Sequence, residues 1–153
     1  MSSEFQIELI PARETHALRQ MVLRPNLTID QVAIEGDDDP QSFHVGARCA
    51  STGTILAIMT VMRNPIPDTS PDTGTIAWRI RGMASHPDAR GKGCAGSVLE
   101  FGMNHAWSMH RDTIWCNARR VAYGFYERYG FRLASDEFDI PGIGPHKVMR
   151  IEP

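Results

Sequence analysis

Seven segments of the chain carry the apolar and β-branched patterns that are typical of strands. Residues 5–10 alternate apolar and polar side chains, and residues 54–62 and 75–84 are rich in β-branched or aromatic side chains. Segments with proline or glycine separate several of these runs. The predicted strands are residues 5–10, 43–49, 54–62, 75–84, 112–117, 131–134 and 147–151.

Three other segments repeat apolar residues at the three-and-four spacing of a helix face. They are residues 14–23, the segment that follows a glycine-rich turn at residues 90–96, and residues 118–129. Residues 27–30 could open a further short helix. The apolar faces contain Ala17, Leu18, Met21 and Val22 in the first helix, Ala95, Val98, Leu99, Gly102, Met103 and Ala106 in the second, and Ala122, Phe125, Tyr126 and Tyr129 in the third.

Three segments predict loops. Residues 35–40 form an acidic loop that we interpret as solvated, and residues 64–74 and 140–145 are rich in proline or glycine. No internal repeat or low-complexity tract divides the chain. The pattern therefore predicts one α/β domain over residues 1–153, with about seven strands and three or four helices.

Composition argues against several classes of function. Of 153 residues, 42% are hydrophobic and 22% are charged, as in ordinary globular proteins. The formal charge of −2, with no long basic run, does not favour a nucleic-acid partner. No apolar run approaches the ~20 residues of a membrane span, and the first residues lack a signal-peptide pattern, so we expect no membrane partner and a cytoplasmic location. Three separated cysteines and six scattered histidines predict neither a disulfide framework nor a metal site.

The turn at residues 90–96, Arg-Gly-Lys-Gly-Cys-Ala-Gly, lies between a predicted strand and a predicted helix. Backbone N–H groups at a helix N-terminus have no partners within the helix and favour an anion, and small residues let a phosphate approach closely. The spacing matches neither the nucleoside-triphosphate P-loop nor the dinucleotide-binding pattern. By itself, the turn could also be only a tight connection.

Two motifs resemble the GCN5-related N-acetyltransferase (GNAT) family. Arg90-x-x-Gly93-x-Ala95 is similar to the family's Arg/Gln-x-x-Gly-x-Gly/Ala signature, which binds the pyrophosphate of acetyl-coenzyme A. The run Asn-Ala-Arg-x-x-Ala-x-x-Phe-Tyr-x-x-x-Gly-Phe at residues 117–131 resembles the family's second block, in the same order and at the same distance. With Arg81-x-Met83-Ala84, the resemblance covers residues 75–131.

The resemblance implies a mixed, mostly antiparallel sheet with a V-shaped splay between the fourth and fifth strands. Pantetheine would pair with the end of the fourth strand, and the diphosphate would meet the N–H groups of the turn. Phe125 would line the cleft or pack as a core aromatic. The cofactor-binding residues that the family pattern implies are Met83, Ala84, Ser85, Arg90, Gly91, Lys92, Gly93, Cys94, Ala95, Gly96, Asn117 and Phe125.

Tyr126 matches the family's tyrosine that gives a proton to the departing thiolate, with packing of its helix as the alternative role. A phenol is protonated at neutral pH and can donate. A backbone N–H near Met83 or Ala84 is the expected oxyanion donor. The general base is left open among four candidates. These are His44, Glu137, Asp139 and His146.

The activity implied is acetyl transfer from acetyl-coenzyme A, as cosubstrate and without a metal, directly to a primary amine of a small molecule. The alternatives are a protein N-terminus or lysine as acceptor, and a coenzyme A-binding module without turnover. The acceptor pocket would be built by residues 24–39 and the loop before the last strand, and a homodimer is compatible with the sequence. Arg24, Arg79 and Arg81 could bind a substrate carboxylate, but the sequence favours their pairing with nearby Asp residues.

Overall fold

The computed structural model describes residues 4–69 and 71–153, and its central feature is one sheet of eight strands. Met1, Ser2, Ser3 and Ser70, the last within the predicted loop 64–74, lie outside the described residues. The strands are β1 (Phe5–Ile10), β2 (Phe43–Cys49), β3 (Ile55–Pro65), β4 (Ile76–Ser85), β5 (Ile114–Arg119), β6 (Arg132–Leu133), β7 (Phe138–Ile140) and β8 (Gly144–Ile151).

The helical part contains one long helix and several short pieces. A first helical segment combines a 3₁₀ turn (Ala12–Thr15), an α-helical turn α1 (His16–Leu18) and a π-helical turn (Arg19–Leu23). The long helix is α2 (Cys94–Met109), and α3 (Tyr123–Arg128) follows a 3₁₀ turn (Arg120–Ala122). Two further 3₁₀ turns are Ile29–Gln31 and Pro87–Ala89. Among residues 4–69 and 71–153, no helix is long and apolar enough to cross a membrane.

The strand order is β1-β2-β3-β4-β5-β8-β6, with β7 also paired to β8. Among the strands of the described residues, β4 and β5 form the one parallel pair, and they pair at three positions, from Trp78–Ile114 to Ile80–Cys116. Beyond that point β4 continues to Ser85 and β5 to Arg119 without pairing to each other. The predicted mixed sheet with a splay between its fourth and fifth strands is therefore confirmed.

A β-bulge bends β4 where the splay begins. Ile58 of β3 pairs with Ala84, whereas Thr60 pairs with Arg81, so β4 carries one extra residue. Gly82 lies in this bulge with a φ of +62°, a conformation that other L residues rarely adopt. The bulge thus turns the end of β4 away from β5.

Helix α2 covers one face of the sheet and forms the main core. Val98, Leu99 and Ala106 of α2 are fully buried against Trp78 and Met59. The face opposite α2 carries two smaller clusters, one under the first helical segment and one around Trp115.

The first helical segment presents only part of the face that the sequence predicts. Leu18 is buried and Val22 packs against the same cluster, as predicted, but Ala17 and Met21 are exposed, and Thr15 and Arg19 are buried in their place. The reason is the winding, because a 3₁₀ turn and a π turn on either side of α1 displace side chains from the 3.6-residue period.

The interpretation of residues 35–40 as a merely solvated loop is wrong for Asp37. Asp37 is 8% exposed, and its two carboxylate oxygens accept hydrogen bonds of 2.7 and 2.8 Å from Arg19. Asp38 and Asp39 are exposed, as predicted.

Three other boundaries differ from prediction. β3 runs on to Pro65 inside the predicted loop 64–74, and β7 and β8 shorten the predicted loop 140–145 to a tight turn. At the start of the third predicted helix, Ala118 and Arg119 belong to β5.

Candidate active site

A cleft of about 720 Å³ opens where β4 and β5 separate. One wall is the first helical segment with the following residues up to Glu35, and the other is α3 with the β7–β8 turn. Its floor is formed by residues 79–85 of β4 and 116–119 of β5. Because the unpaired edges of both strands line it, the cleft offers free backbone donors and acceptors to a ligand.

The two faces of the sheet give the cleft two different sides. Trp78 and Ile80 pack with α2, whereas the guanidinium of Arg79 lies 4.8 Å above the ring of Trp115, which belongs to a separate cluster. Side chains alternate along a strand, so Arg79 and Arg81 project from the face opposite α2. Tyr126 packs in the α2 core, on the other side.

The glycine turn forms the N-terminus of α2. Gly91 and Gly93 have φ values of +80° and +81°, and a Cβ added to either would meet no atom within 4 Å. Within the described residues, the backbone N–H groups at positions 91, 93, 94, 95 and 96 donate to no backbone carbonyl. The N–H of Lys92 is already used, since it donates to Ala89 at 3.2 Å. The turn thus has the free donors, the helix dipole and the open space that an anion needs.

The side chains of the turn contribute less than its backbone. Arg90 lines the cleft, while Lys92 is exposed and lies 3.9 Å from Glu4. Cys94 is 1% exposed in the α2 core, and burial raises the pKa of its thiol. Gly96 is buried where a Cβ would lie 1.8 Å from the hydroxyl of Tyr129, which gives this glycine a packing role beside its free N–H. Ala95 is partly buried.

The end of β4 presents its backbone to the cleft. Met83, Ala84 and Ser85 all line it, and the N–H of His86 donates to Leu56 on the β3 side at 2.7 Å. Backbone groups alternate in direction along a regular strand, so those of Ala84 point to β3 and those of Ser85 point into the splay. Of the two residues near which the oxyanion donor was predicted, Met83, next to the bulge, therefore stays the candidate.

Asn117 and Phe125 line the cleft from the opposite side. The ring of Phe125 also packs at 5.3 Å from both Tyr126 and Tyr129. Phe125 therefore both lines the cleft and packs against the core aromatic residues.

Tyr126 lines the cleft beside Cys116 and is 5% exposed. Burial, the adjacent Cys116 and a hydrogen bond with its thiol raise the pKa of Tyr126 well above its ordinary value. Burial likewise raises the pKa of Cys116 to about 12. Both groups are therefore protonated at neutral pH, and Tyr126 keeps a proton that it can donate.

Of the four candidate bases, only His146 lines the cleft. Its Nδ1 lies 2.7 Å from the carbonyl oxygen of Gly144, which must accept, so Nδ1 carries the proton and Nε2 has the lone pair. Glu137 pairs with Arg120 and Tyr123 on the surface, and Asp139 is exposed. His44 is buried between Thr60 and the Asp37 carbonyl, and burial lowers its pKa.

The arginines predicted to pair with Asp residues do not do so. Among the described residues, Arg24, Arg79 and Arg81 have no carboxylate within salt-bridge distance, and all three line the cleft. Arg79 donates to the side chain of Asn64 at 3.2 Å. Arg119, which the sequence singled out only as part of a motif, joins them and donates to the Leu23 carbonyl at 3.2 Å.

Cys116 and Arg119 also belong to the cleft, although the sequence assigned them no role. Cys116 immediately precedes the family's second motif and Arg119 is its third residue, and alternation along a strand places the two side chains on opposite faces. The sequence could have predicted the position of Arg119, because side chains two residues apart on a strand lie on the same face and Asn117 was already assigned to the cleft.

Comparison with known proteins agrees with this geometry. A model of the acetyltransferase (GNAT) domain matches residues 45–133. The uncharacterized N-acetyltransferase YitI of Bacillus subtilis (strain 168) is 30% identical over 144 residues, covering 94% of this chain and 93% of that protein.

Solved structures share the fold at lower identity. ElaA of Escherichia coli has a TM-score of 0.72 at 14% identity, covering 97% of this chain and 99% of that one. YhbS of Escherichia coli, a GNAT family N-acetyltransferase solved in complex with coenzyme A, has a TM-score of 0.70 at 15% identity, covering 98% of this chain and 83% of that one. Together with the matched domain, the splayed strands and the glycine turn, these relatives establish that the chain belongs to the GCN5-related N-acetyltransferase family of acyltransferase enzymes.

Proposed function

We propose that this protein transfers the acetyl group of acetyl-coenzyme A directly to a primary amine of a small molecule, within a complex that holds both substrates. The observation that carries the proposal is the splay of β4 from β5, flanked at one end by the free N–H groups of the glycine turn and beside it by Tyr126. The cofactor supplies an activated acyl group as a thioester. The side chains and backbone of this chain bind the substrates, stabilise the oxyanion and transfer the protons.

The residues present fit coenzyme A. The open space above Gly91 and Gly93 and the unpaired N–H groups suit the diphosphate, and Arg90 adds a positive charge at the same end of the cleft. The free backbone of Met83 and Ser85 suits the amide groups of pantetheine, with Asn117 and Phe125 on the facing wall.

Acetyl transfer needs a neutral amine, a donor for the oxyanion and a proton for the thiolate. In this proposal the N–H of Met83 binds the oxyanion, and the hydroxyl of Tyr126 donates its proton as the C–S bond breaks. His146 Nε2 accepts the proton that the amine loses. The phenolate that remains on Tyr126 is protonated again from solvent before the next turnover.

The proposed base can be tested with His146→Gln. We expect kcat/KM at neutral pH to fall by about 10²-fold, the low end for general base catalysis, because a water molecule can take over part of the role. The deficit should shrink as pH rises towards the pKa of the acceptor amine, because a free amine no longer needs a base. A deficit that stays constant with pH would show that His146 acts only through packing against Phe138, whose ring lies 6.1 Å away.

The proposed diphosphate site can be tested with Gly93→Glu. The new carboxylate would occupy the open space above the turn and repel phosphate, so we expect the Kd for coenzyme A, measured by calorimetry, to rise at least about tenfold. Gly93→Asn is the matched control, since it meets the same left-handed backbone without adding charge.

The function as a whole is tested by a panel of amines with acetyl-coenzyme A and detection of the released thiol. Thiol release that depends on a small amine supports the proposal. Failure of coenzyme A to bind the wild-type protein at millimolar concentration would refute it. Binding without transfer to any amine of the panel would favour the module without turnover.

A further inference from the structure

Four partly buried arginines line the cleft without a carboxylate partner among the described residues, and a fifth, Arg90 beside the glycine turn, is exposed. Arg24, Arg79, Arg81 and Arg119 are each partly buried, and none lies within salt-bridge distance of an acid among residues 4–69 and 71–153. Arg19, which also lines the cleft, differs because Asp37 neutralises it. The cleft therefore gathers several guanidinium groups that no protein carboxylate neutralises.

The cleft holds little negative charge to offset them. Among its described lining residues, Glu35 is the one acid, and it is exposed. Burial, and then the neighbouring Arg81, lower the pKa of Arg79 to about 10. Burial also lowers the pKa of Arg81 and of Arg119, with Arg19 and Arg24 as the respective second causes, and Asp37 and Glu35 offset only part of this effect on the pKa of Arg81. The arginines thus repel one another in a partly desolvated site.

Such an arrangement destabilises the protein unless an anion enters. Transferring a guanidinium from water to a partly buried site costs free energy, and like charges nearby add to the cost. Arg79 also keeps its Nε buried without a hydrogen-bond partner in the described structure. An acidic ligand would remove both penalties, because a guanidinium binds carboxylate or phosphate through paired hydrogen bonds.

The position of the arginines separates them from the proposed diphosphate site. The glycine turn lies at the N-terminus of α2, whereas Arg79 and Arg81 project from the face opposite α2. Arg79 is nevertheless close enough to act electrostatically on Cys116, the thiol that hydrogen-bonds Tyr126. The cationic group therefore lies on the acceptor side of the proposed reaction centre, near the point of transfer.

We infer that the acceptor is an amine that carries an acidic group, carboxylate or phosphate, and that Arg79 and Arg81, with Arg119 at the rim, bind that group. This inference rests on the proposed function and names the substrate class for it. The acid would anchor the acceptor on the face opposite α2 and leave its amine free to reach the thioester between the strands. A monoamine without an acid would lack this anchor and would meet only repulsion from the guanidinium groups.

The test uses matched acceptors. As acceptors, straight-chain amino acids with a terminal amine and increasing length are compared with their primary amides. Aminoalkyl phosphates are compared in the same way with the corresponding amino alcohols. For at least one length, we expect kcat/KM to be about tenfold or more higher for the acid than for its neutral partner, as charge-assisted hydrogen bonds predict. The carboxylate and phosphate series show which acid the site takes. A preference for the amides, for the alcohols or for diamines would overturn the inference.

The residues are tested with Arg81→Gln, because no hydrogen bond of the Arg81 side chain to the described residues would be lost, and with Arg128→Gln as a surface control outside the cleft. Arg81→Gln should reduce the acid-to-amide ratio at least about tenfold, whereas Arg128→Gln should leave it unchanged. An equal loss for both members of a pair would overturn the role assigned to Arg81.

A measurement without turnover keeps the two proposals distinguishable. At matched ionic strength, replacing sodium chloride by sodium sulfate should raise the melting temperature of the wild-type protein more than that of Arg81→Gln. Comparing the two proteins cancels the general stabilisation by sulfate and any binding at the glycine turn, because both proteins share them. If sulfate stabilises the wild type more than Arg81→Gln but no amine is acetylated, the anion site stands and the proposed function fails. If sulfate stabilises both proteins equally, the anion site is refuted.

Discussion

Tyr126→Phe is expected to lower kcat by about 10²- to 10⁴-fold, the range of general acid catalysis, with little change in the affinity for coenzyme A. The substitution removes one oxygen from a ring that stays packed against Phe125 and Phe131. The one described partner that loses a hydrogen bond is the thiol of Cys116, a weak group, so the fold should persist. Steady-state kinetics and calorimetry separate the two effects.

Tyr123→Phe is the matched control for that experiment. Tyr123 lies on the same helix, but its hydroxyl is bonded to the Glu137 carboxylate at 3.1 Å and does not line the cleft. We expect kcat to stay close to that of the wild type. If Tyr126→Phe retained full acetyl transfer at neutral pH while binding coenzyme A, Tyr126 would be a packing residue only.

Asp37→Asn is expected to cost about 3–5 kcal/mol of folding free energy. The amide keeps the shape of the carboxylate but leaves the Arg19 guanidinium, whose side chain is 2% exposed, without its counter-charge. Arg19 also donates to Thr60 at 2.7 Å and to the Val32 carbonyl at 3.2 Å. Because Arg19 joins the first helical segment to β3 and to the loop that carries Asp37, the whole fold should lose stability, and urea unfolding measures the loss.

The pH dependence of stability gives an independent check. Burial raises the pKa of Asp37, but hydrogen bonds from Arg19 and the Ile34 N–H outweigh it and hold the pKa below its ordinary value of 3.8. The stabilisation is therefore fully present above that value and disappears as pH falls through the lower pKa of the folded state. The difference in stability between wild type and Asp37→Asn should narrow in that acid range.

Asp38→Asn serves as the control, since Asp38 is exposed and should change stability by less than about 0.5 kcal/mol. The double variant Arg19→Met/Asp37→Leu should recover much of the loss, because removing both charges leaves none buried alone. A single variant as stable as the wild type would contradict the role given to this ion pair.

The ion pair also matters to the cleft. Asp37 accepts a hydrogen bond from the N–H of Ile34 at 2.9 Å, and Ile34 and Glu35 form part of one wall of the cleft. The hydroxyl of Thr60 accepts from Arg19 and donates to His44 Nδ1, because His44 Nε2 must donate to the Asp37 carbonyl. His44, one of the four candidate bases, therefore helps to support that wall from behind.

Local patterns in the sequence predicted much of the fold and part of the site. The strands and α2 have regular periods, and the glycine turn has a mechanism that depends on neighbouring residues alone. The burial of Arg19 could not be predicted in this way, because its partner lies 18 residues away and a π turn displaces its side chain inward. Whether Arg79 and Arg81 find an acid likewise depends on three-dimensional proximity, which composition does not reveal.

Because β4 and β5 share so few residue pairs, the sheet consists of two parts that are only narrowly connected. Strands β1 to β4 form one leaf and β5 to β8 another, joined by three backbone positions. Arg63 to Asp112 at 2.7 Å and the Trp78 indole to the His110 carbonyl at 2.9 Å join the leaves at the closed end of the wedge, whereas one bond, Arg119 to the Leu23 carbonyl at 3.2 Å, crosses the open end. We expect the closed end to act as a hinge, so that a small rotation there would become a large displacement at Ser85 and Arg119, and a ligand that bridges both strands would hold the leaves at one opening.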